Sequence, residues 1–211
     1  MTENLLREHI AELGKSLYDR GLAHGSAGNI SVKLADGQWL LTPTNSCLGR
    51  LDPAKISKLD GNGKLVSGDP PSKESFLHLA MYQERATSAA VVHLHSLHAV
   101  AVSCLSDIDP ADVFPPITAY AIMQVGKLAL VPYYPPGDQS LADAVRKLAG
   151  KHQAVLLANH GPVVAGTSLT AAVNAIEELE QTAHLMLLLQ GRPTRLLDAA
   201  QVAELNRRFP N

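Results

Sequence analysis

The stretch "AVVHLHSLHAV", residues 90–100, places three histidines in an apolar, partly β-branched segment. The β-branched residues predict a buried strand, and a strand turns alternate side chains to the same face. His93 and His95 would then point the same way, with their imidazoles close enough to bind one metal ion. The alternative is a pair of ordinary core or solvated histidines, and the rest of the chain has to decide between the two.

The composition is that of an ordinary globular protein. Of 211 residues, 46% are hydrophobic and 18% charged, and the net charge is −2. This predicts one domain over residues 1–211, without a general positive field to attract nucleic acid or an anionic membrane. No apolar run approaches the roughly 20 residues of a membrane span, and the charged N-terminus is unlike a signal peptide. We therefore expect a cytoplasmic protein.

Alternating strand and helix patterns surround this stretch. Two hairpins are predicted before it, around Asp36-Gly37 and around residues 61–63, followed by a helix over 72–85 with Ser72 as its N-cap. Further strands are predicted at 128–133 and on either side of the turn in "AVLLANHGPVVAG", residues 154–166, before a long helix. The pattern predicts an α/β fold with three α/β/α layers and a central mixed, largely antiparallel sheet.

Two further residues could join His93 and His95. His160 lies in the turn between two apolar strands, where a third imidazole would complete the protein ligands of a catalytic zinc site. Glu74, near the start of the helix before the His93 strand, could serve as a ligand or a general base. Each also has an ordinary explanation: His160 can be a simple turn histidine, and Glu74 can be an acid that complements the helix dipole.

Small polar residues border the first predicted strands. "HGSAGNISVK", residues 24–33, contains the Gly28-Asn29 pair, and "TPTNS", residues 42–46, adds Thr44 and Asn45. Backbone amides and hydroxyls of this kind can bind a phosphate without bulk positive charge. The alternative is that they are plain turn residues.

Taken together, these motifs resemble the class II aldolase/adducin family. "SAGNISV", "LTPT", "PSKES", "VVHLHSLHA", "ITAY" and "NHG" occur in that family's order, over about residues 5–190. The resemblance implies an α/β/α domain, a divalent metal that is typically zinc, and a homotetramer with active sites at the subunit interfaces.

The resemblance also implies roles for particular residues. At matching positions the metal ligands are His93, His95 and His160, and Glu74 coordinates the metal or acts as the base. Tyr120 aligns with a tyrosine that the next subunit supplies as a proton donor. The positions at which the family grips a sugar phosphate are occupied here by Gly28, Asn29, Thr44 and Ser72.

The chain departs from the sugar aldolases at two positions. Asn45 replaces a glycine, and Lys73 stands where the aldolases often have a second serine. A cation beside Glu74 suggests a substrate with an extra carboxylate, although a lysine at this position can also be merely solvated. His98 falls outside the ligand set, and we expect it to be structural or to support a ligand without binding the metal itself.

Several segments most resemble the branch of the family that acts on 3-oxo-tetronate 4-phosphate; they are "GLAHGSAGNISVK", "TPTNSCLGRLDP", "SGDPPSKE", "PPITAYAIMQVG" and "VPYYPPGDQSLA". The resemblance implies metal-dependent decarboxylation of that phosphorylated sugar acid to dihydroxyacetone phosphate and CO2, through a metal-stabilised enediolate. Lys73 would orient the carboxylate, and Glu74 or Tyr120 would deliver the proton. The alternatives are a class II aldolase or 4-epimerase acting on a phosphorylated ketose, and a non-catalytic adducin-like scaffold.

Overall fold

Eight strands form one sheet in a computed structural model, which describes residues 1–135 and 137–210. In chain order they are β1 Asn29–Lys33, β2 Trp39–Leu41, β3 Ser57–Leu59, β4 Leu65–Ser67, β5 Ala90–His93, β6 Ala129–Val131, β7 Ala154–Leu157 and β8 Gly161–Gly166. Their order across the sheet is β4-β3-β2-β1-β5-β8-β7-β6. The β6–β7 pair is parallel and the other neighbouring pairs are antiparallel, which confirms the predicted mixed, largely antiparallel sheet.

Helices cover both faces of the sheet. They are α1 Glu3–Asp19, α2 Ser75–Glu84, α3 Leu97–Ser103, α4 Ala119–Gln124, α5 Gln139–Ala149, α6 Leu169–Leu189 and α7 Ala199–Arg208, with short 3-10 turns at Leu48–Arg50 and Pro53–Lys55. Helices α1, α3 and α6 pack on one face, and α2 and α5 on the other. The predicted three-layer arrangement is therefore confirmed. Within the described ranges, none of these helices combines the length and apolarity needed to cross a membrane.

The central strand β5 contributes to two hydrophobic cores. Val92 is fully buried against the α1, α3 and α6 side, where Ile176 of α6 belongs to the same cluster. Val91 is fully buried on the opposite face, in the cluster that contains Leu77 of α2 and Val145 of α5. Because neighbouring residues of a strand point to opposite faces, a strand covered on both sides has a continuous apolar sequence.

Helix α2 begins later than the sequence predicted. The predicted N-cap, Ser72, lies before a turn in which the Ser75 N–H donates to the Ser72 carbonyl at 3.1 Å. The Ser72 N–H donates to the Thr42 carbonyl, so this segment is tied to the end of the β2 strand rather than to the helix. The N-cap is Glu74, whose φ of −94° and ψ of 13° lie outside the regular helix.

Two other expectations are wrong, and one helix was missed. Strand β5 ends at His93, so His95 lies in the connection to α3 and not on the same strand. The apolar spacing of the N-terminal segment predicts a helix that buries Leu5, but Leu5 is 52% exposed because it lies on the outer face of α1. Helix α4 was not predicted, since its six residues follow "FPPIT" and are too few to display a helical period.

A close backbone approach fixes the turn between β7 and β8. Gly161 has a φ of +148°, and a Cβ atom built at this position would lie 2.3 Å from the Leu94 carbonyl oxygen. No side chain fits into that space without backbone movement. The glycine therefore lets the turn that carries His160 pack directly against the Leu94–His95 segment.

We expect Gly161→Ala to destabilise the protein by about 2–4 kcal/mol, because it combines an unfavourable φ with a backbone clash. Gly191→Ala is the matched control, since Gly191 has a φ of +72° but no atom within 4 Å of the added Cβ. Its cost should be about 1 kcal/mol. Urea unfolding of both variants measures the difference, and equal costs would contradict the packing argument.

Candidate metal centre and active site

Four side chains from separate parts of the chain converge at one end of the sheet. Glu74, His93, His95 and His160 each offer one ligand atom, and these atoms lie within 4.8 Å of one another. His95 Nε2 lies 3.1 Å from both His93 Nε2 and His160 Nε2. Ligands at about 2.05 Å from a tetrahedral zinc ion are separated by about 3.3 Å, so this cluster has the dimensions to hold one such ion.

The orientation of His93 leaves the correct nitrogen free. The ring is fully buried, and its Nδ1–H donates to the Pro162 carbonyl at 2.8 Å, because a carbonyl oxygen can only accept. The proton is therefore on Nδ1, and the lone pair of Nε2 points into the cluster. A hydrogen bond of this kind from the second ring nitrogen is typical of histidines that bind metals.

The charges of the cluster suit a cation. Burial acts to raise the pKa of Glu74, but the neighbouring His93 and His160 rings outweigh it and hold the pKa well below its usual range. Burial, and then the charges of His93 and His160, lower the pKa of His95 to about 3. At neutral pH the carboxylate is ionised and His95 is neutral, which are the forms that bind a metal.

The His93 ring responds to two opposing influences. Burial acts to lower its pKa, but the Glu74 carboxylate raises it by charge and by hydrogen bonding, and the net shift is upward. In the metal-free protein the Glu74 carboxylate therefore stabilises a proton on this imidazole. Because a metal ligand has to be deprotonated, a cation and this proton compete for the same position.

The cluster lies at the edge of a cavity of about 770 Å³. The cavity is bordered by Glu74, His95 and His160, and its other lining residues are Gly21, His24, Leu97, Val100, Tyr133, Tyr134 and Asn159. This size suits a small metabolite. His24, Tyr133 and Tyr134 were not predicted as site residues, because nothing in their local pattern reveals which cavity they border.

Two of the predicted phosphate-binding residues lie directly beside the cluster. A Cβ at Gly28 would lie 3.0 Å from the His93 carbonyl oxygen, so the glycine backbone closely approaches the end of β5. Asn29 is almost completely buried, and its Nδ2 donates to Glu74 Oε2 at 2.8 Å. One of the two N–H bonds on Nδ2 is thereby used within the protein, and the other remains for a ligand.

The other predicted phosphate-binding residues lie in two adjoining loops. The Thr44 N–H donates to the Pro70 carbonyl at 2.9 Å, which joins the loop after β2 to the segment before α2. Ser72 is buried in that segment, and its hydroxyl accepts from the Glu74 N–H. Asn45 has a φ of +56°, a conformation that favours glycine but that asparagine tolerates better than most residues. Asparagine is therefore compatible with the backbone conformation at this position.

Lys73 and Tyr120 do not join the cluster of their own chain. Lys73 is exposed, and within the described parts of the chain it makes no hydrogen bond or ion pair. Tyr120 is 63% exposed at the start of α4 and borders a different cavity, together with Arg20 and Glu177. If either residue contributes to the site, Lys73 has to turn inward and Tyr120 has to come from another copy of the chain.

His98 has a separate structural environment. Its Nδ1 lies 2.8 Å from Glu180 Oε1, and its ring stacks on His184 with 4.0 Å between the ring centroids. The Glu180 carboxylate also accepts hydrogen bonds from the backbone N–H groups of His98 and Ala99 at the start of α3. His98 therefore helps to hold α3 against α6 and is not part of the metal cluster.

The comparison with known families identifies the class of protein. Residues 8–187 match the family described as Class II Aldolase and Adducin N-terminal domain. The chain belongs to this family.

Particular relatives are similar over nearly the whole chain. The chain is 51% identical over 203 residues to 3-oxo-tetronate 4-phosphate decarboxylase from Escherichia coli K12, covering 96% of each protein. It is 33% identical over 213 residues to L-fuculose phosphate aldolase from the same strain, covering 99% of this chain and 96% of the relative. The crystal structure of YgbL from Escherichia coli superimposes with a TM-score of 0.95 at 50% identity, covering 96% of this chain and 98% of YgbL.

We expect the wild-type protein to bind one divalent ion per chain. His160→Ala should weaken this binding by more than about 10–100-fold, which is the usual cost of mutating a residue that only hydrogen-bonds a metal ligand. His98→Ala is the control, because it removes an imidazole from outside the cluster. Elemental analysis and a competitive chelator titration measure stoichiometry and affinity, and circular dichroism verifies the fold. Equal affinities for both variants would contradict the assignment of the cluster.

Proposed function

We propose that this chain is a lyase of the cytoplasm that converts 3-oxo-tetronate 4-phosphate to dihydroxyacetone phosphate and CO2. The observation that carries the proposal is the convergence of three imidazoles and one carboxylate at the edge of a cavity, in a chain 51% identical to a decarboxylase with this substrate in its name. A non-catalytic scaffold would have no need of that set of ligands.

Zinc is the ion that we propose for the site. His93, His95 and His160 would hold it, with Glu74 as a further ligand or as the base. Three protein nitrogens with an adjoining open cavity are typical of catalytic zinc, whereas structural zinc usually has four protein ligands and much cysteine. When bound, the ion supplies a Lewis acid that stabilises negative charge developing on substrate oxygens.

The substrate is a β-keto acid, and the reaction balances without a further reactant. The C1–C2 bond breaks, CO2 leaves, and the electron pair moves toward the C3 ketone to give an enediolate. One proton then adds to C2, which yields dihydroxyacetone phosphate. The protein has to bind the phosphate, orient the carboxylate, stabilise charge on the C3 oxygen and deliver the proton.

The predicted residues divide these tasks. The phosphate would be bound by the Gly28 backbone, the Asn29 amide and the loops that contain Thr44, Asn45 and Ser72. Lys73 is exposed without a partner in the described chain, so its ammonium is available to pair with the carboxylate that becomes CO2.

The proton donor is either Glu74 or Tyr120. Glu74 belongs to the cluster, and it holds a proton only if substrate binding changes its environment, since its pKa is depressed. Tyr120 lies outside the cavity of its own chain and is 63% exposed, which supports donation into the site of a neighbouring subunit. This exposure supports active sites at subunit interfaces, and with the family resemblance it leads us to propose a homotetramer.

Aldol cleavage of a phosphorylated ketose is the second candidate. The 33% identity to L-fuculose phosphate aldolase supports it. Both reactions form the same kind of enediolate, and they differ in whether CO2 or an aldehyde leaves.

The decarboxylase proposal predicts that zinc-loaded protein releases CO2 and dihydroxyacetone phosphate in equal amounts from 3-oxo-tetronate 4-phosphate. EDTA treatment should abolish both products, and added zinc should restore them. A coupled dehydrogenase assay and mass spectrometry measure the two products. Aldehyde release from ketose phosphates without any CO2 from the keto acid would replace this proposal with the aldolase.

The shared-site proposal predicts complementation between two inactive variants. Tyr120→Ala lacks the donated hydroxyl and His95→Ala lacks a metal ligand, so each homotetramer should be almost inactive. Random mixing of dissociated subunits in a fourfold ring leaves about a quarter of the interfaces with both residues intact. Activity should recover to about that fraction, and absence of recovery in verified mixed tetramers would assign the site to a single chain.

A further inference from the structure

A chain of hydrogen bonds extends from Glu74 into the protein interior. It consists of the side chains of Glu74, Asn29, His78, Ser31 and Tyr82. We propose that His78 is a positioning residue, which fixes the amide of Asn29 and thereby holds the Glu74 carboxylate in the orientation that faces the metal. This inference rests on the proposed role of Glu74 as a metal ligand.

The geometry of the chain is continuous. Asn29 Nδ2 donates to Glu74 Oε2 at 2.8 Å, and Asn29 Oδ1 is hydrogen-bonded to His78 Nε2. His78 Nδ1 lies 2.7 Å from Ser31 Oγ, which lies 2.7 Å from the Tyr82 hydroxyl. Asn29, His78, Ser31 and Tyr82 are all at most 5% exposed. Water therefore does not compete for these hydrogen bonds.

The direction of every hydrogen bond follows from the Glu74 carboxylate, which can only accept, and from the Asn29 amide, which has one donor group and one acceptor group. An ionised carboxylate only accepts, so the Asn29 group facing Glu74 is the NH₂ and the group facing His78 is the carbonyl. His78 Nε2 must then carry a proton and donate to Asn29 Oδ1. In a neutral ring Nδ1 is left as an acceptor, and the Ser31 hydroxyl donates to it.

The direction of the last hydrogen bond, between Ser31 and Tyr82, is fixed in the same way. Because Ser31 has one hydroxyl proton and uses it on His78, the Tyr82 hydroxyl must be the donor to Ser31 Oγ. All donors of the chain thus point toward Glu74. Burial, followed by the charge of His93, lowers the pKa of His78 to about 3, which agrees with the neutral ring that this order requires.

This arrangement orients groups and does not carry protons. A primary amide such as Asn29 has no proton that it readily releases, so it interrupts any transfer from Tyr82 to Glu74. Burial also raises the pKa of the Tyr82 hydroxyl. These hydrogen bonds instead exclude the flipped orientation of the Asn29 amide. In that orientation the amide oxygen would face the Glu74 carboxylate and the amide NH₂ would face the N–H of His78.

Both Glu74 oxygens face the cluster, and one of them is also held by Asn29. Oε2 accepts the hydrogen bond from Asn29 and lies 3.4 Å from His93 Nε2, while Oε1 lies 3.1 Å from His160 Nε2. A carboxylate held by one oxygen in this way faces an ion in a single orientation. Loss of the His78 donor would leave the Asn29 amide free to flip and Glu74 free to turn.

The test is Co²⁺ binding, followed by the visible absorption of the bound ion, because this measurement does not depend on turnover. His78→Leu removes the donor, and we expect it to weaken Co²⁺ binding about 10–100-fold and to change the absorption bands. His78→Gln keeps an N–H near the position of Nε2, and its affinity should stay within about threefold of wild type. Recovery by glutamine and not leucine distinguishes positioning from simple burial.

Leu77→Ala is the control for lost packing. Leu77 is fully buried next to His78 on α2 but belongs to the core cluster on the α2 and α5 side of the sheet. It should lower the free energy of unfolding while leaving Co²⁺ affinity unchanged. Ser31→Ala provides a milder test of the chain, since it removes the donor to His78 Nδ1, and it should weaken Co²⁺ binding in the same direction.

Wild-type Co²⁺ affinity in folded His78→Leu, or equal losses in His78→Leu and His78→Gln, would overturn the proposal. If His78→Leu does not fold, unchanged affinity in Ser31→Ala overturns it instead. Failure of the proposed reaction appears differently, as wild-type protein that binds the ion normally but releases no CO2.

Discussion

The antiparallel pairing of β5 with both of its neighbours is the constraint on which the site depends. In the observed register Asn29 of β1 pairs with His93, and His93 pairs with Val163 of β8. Both neighbours run opposite to β5, so the end of β5 meets the start of each. A shift of one residue would turn the His93 side chain to the other face of the sheet and separate the ligands.

Much of this arrangement could be predicted from the sequence. The apolar run up to His93 and the strand–turn–strand pattern around His160 identify buried strands of one sheet, and the family resemblance indicates that the two histidines meet. The limits of elements were harder to predict. Ser72 has the chemistry of an N-cap, but its hydrogen bond to the Thr42 carbonyl is a tertiary contact that no local pattern contains.

The residues behind the site were missed for a different reason. His78 lies four residues after Glu74, a spacing that places both on one helix face, and this was an available signal. Ser31 and Tyr82 offered none, because an isolated polar residue in a strand or helix does not reveal its partner. Only the register of β1 against β5, with α2 packed over them, brings these hydroxyls to the imidazole.

The three histidines of the cluster are unevenly spaced along the sequence. His93 and His95 come from one continuous segment, whereas His160 lies in the turn before β8 and reaches the site because β8 pairs with β5. An ion bound by all three histidines would cross-link segments that are distant in the sequence. By thermodynamic linkage, its binding would then stabilise the native state, so the free energy of unfolding would rise with the concentration of free metal.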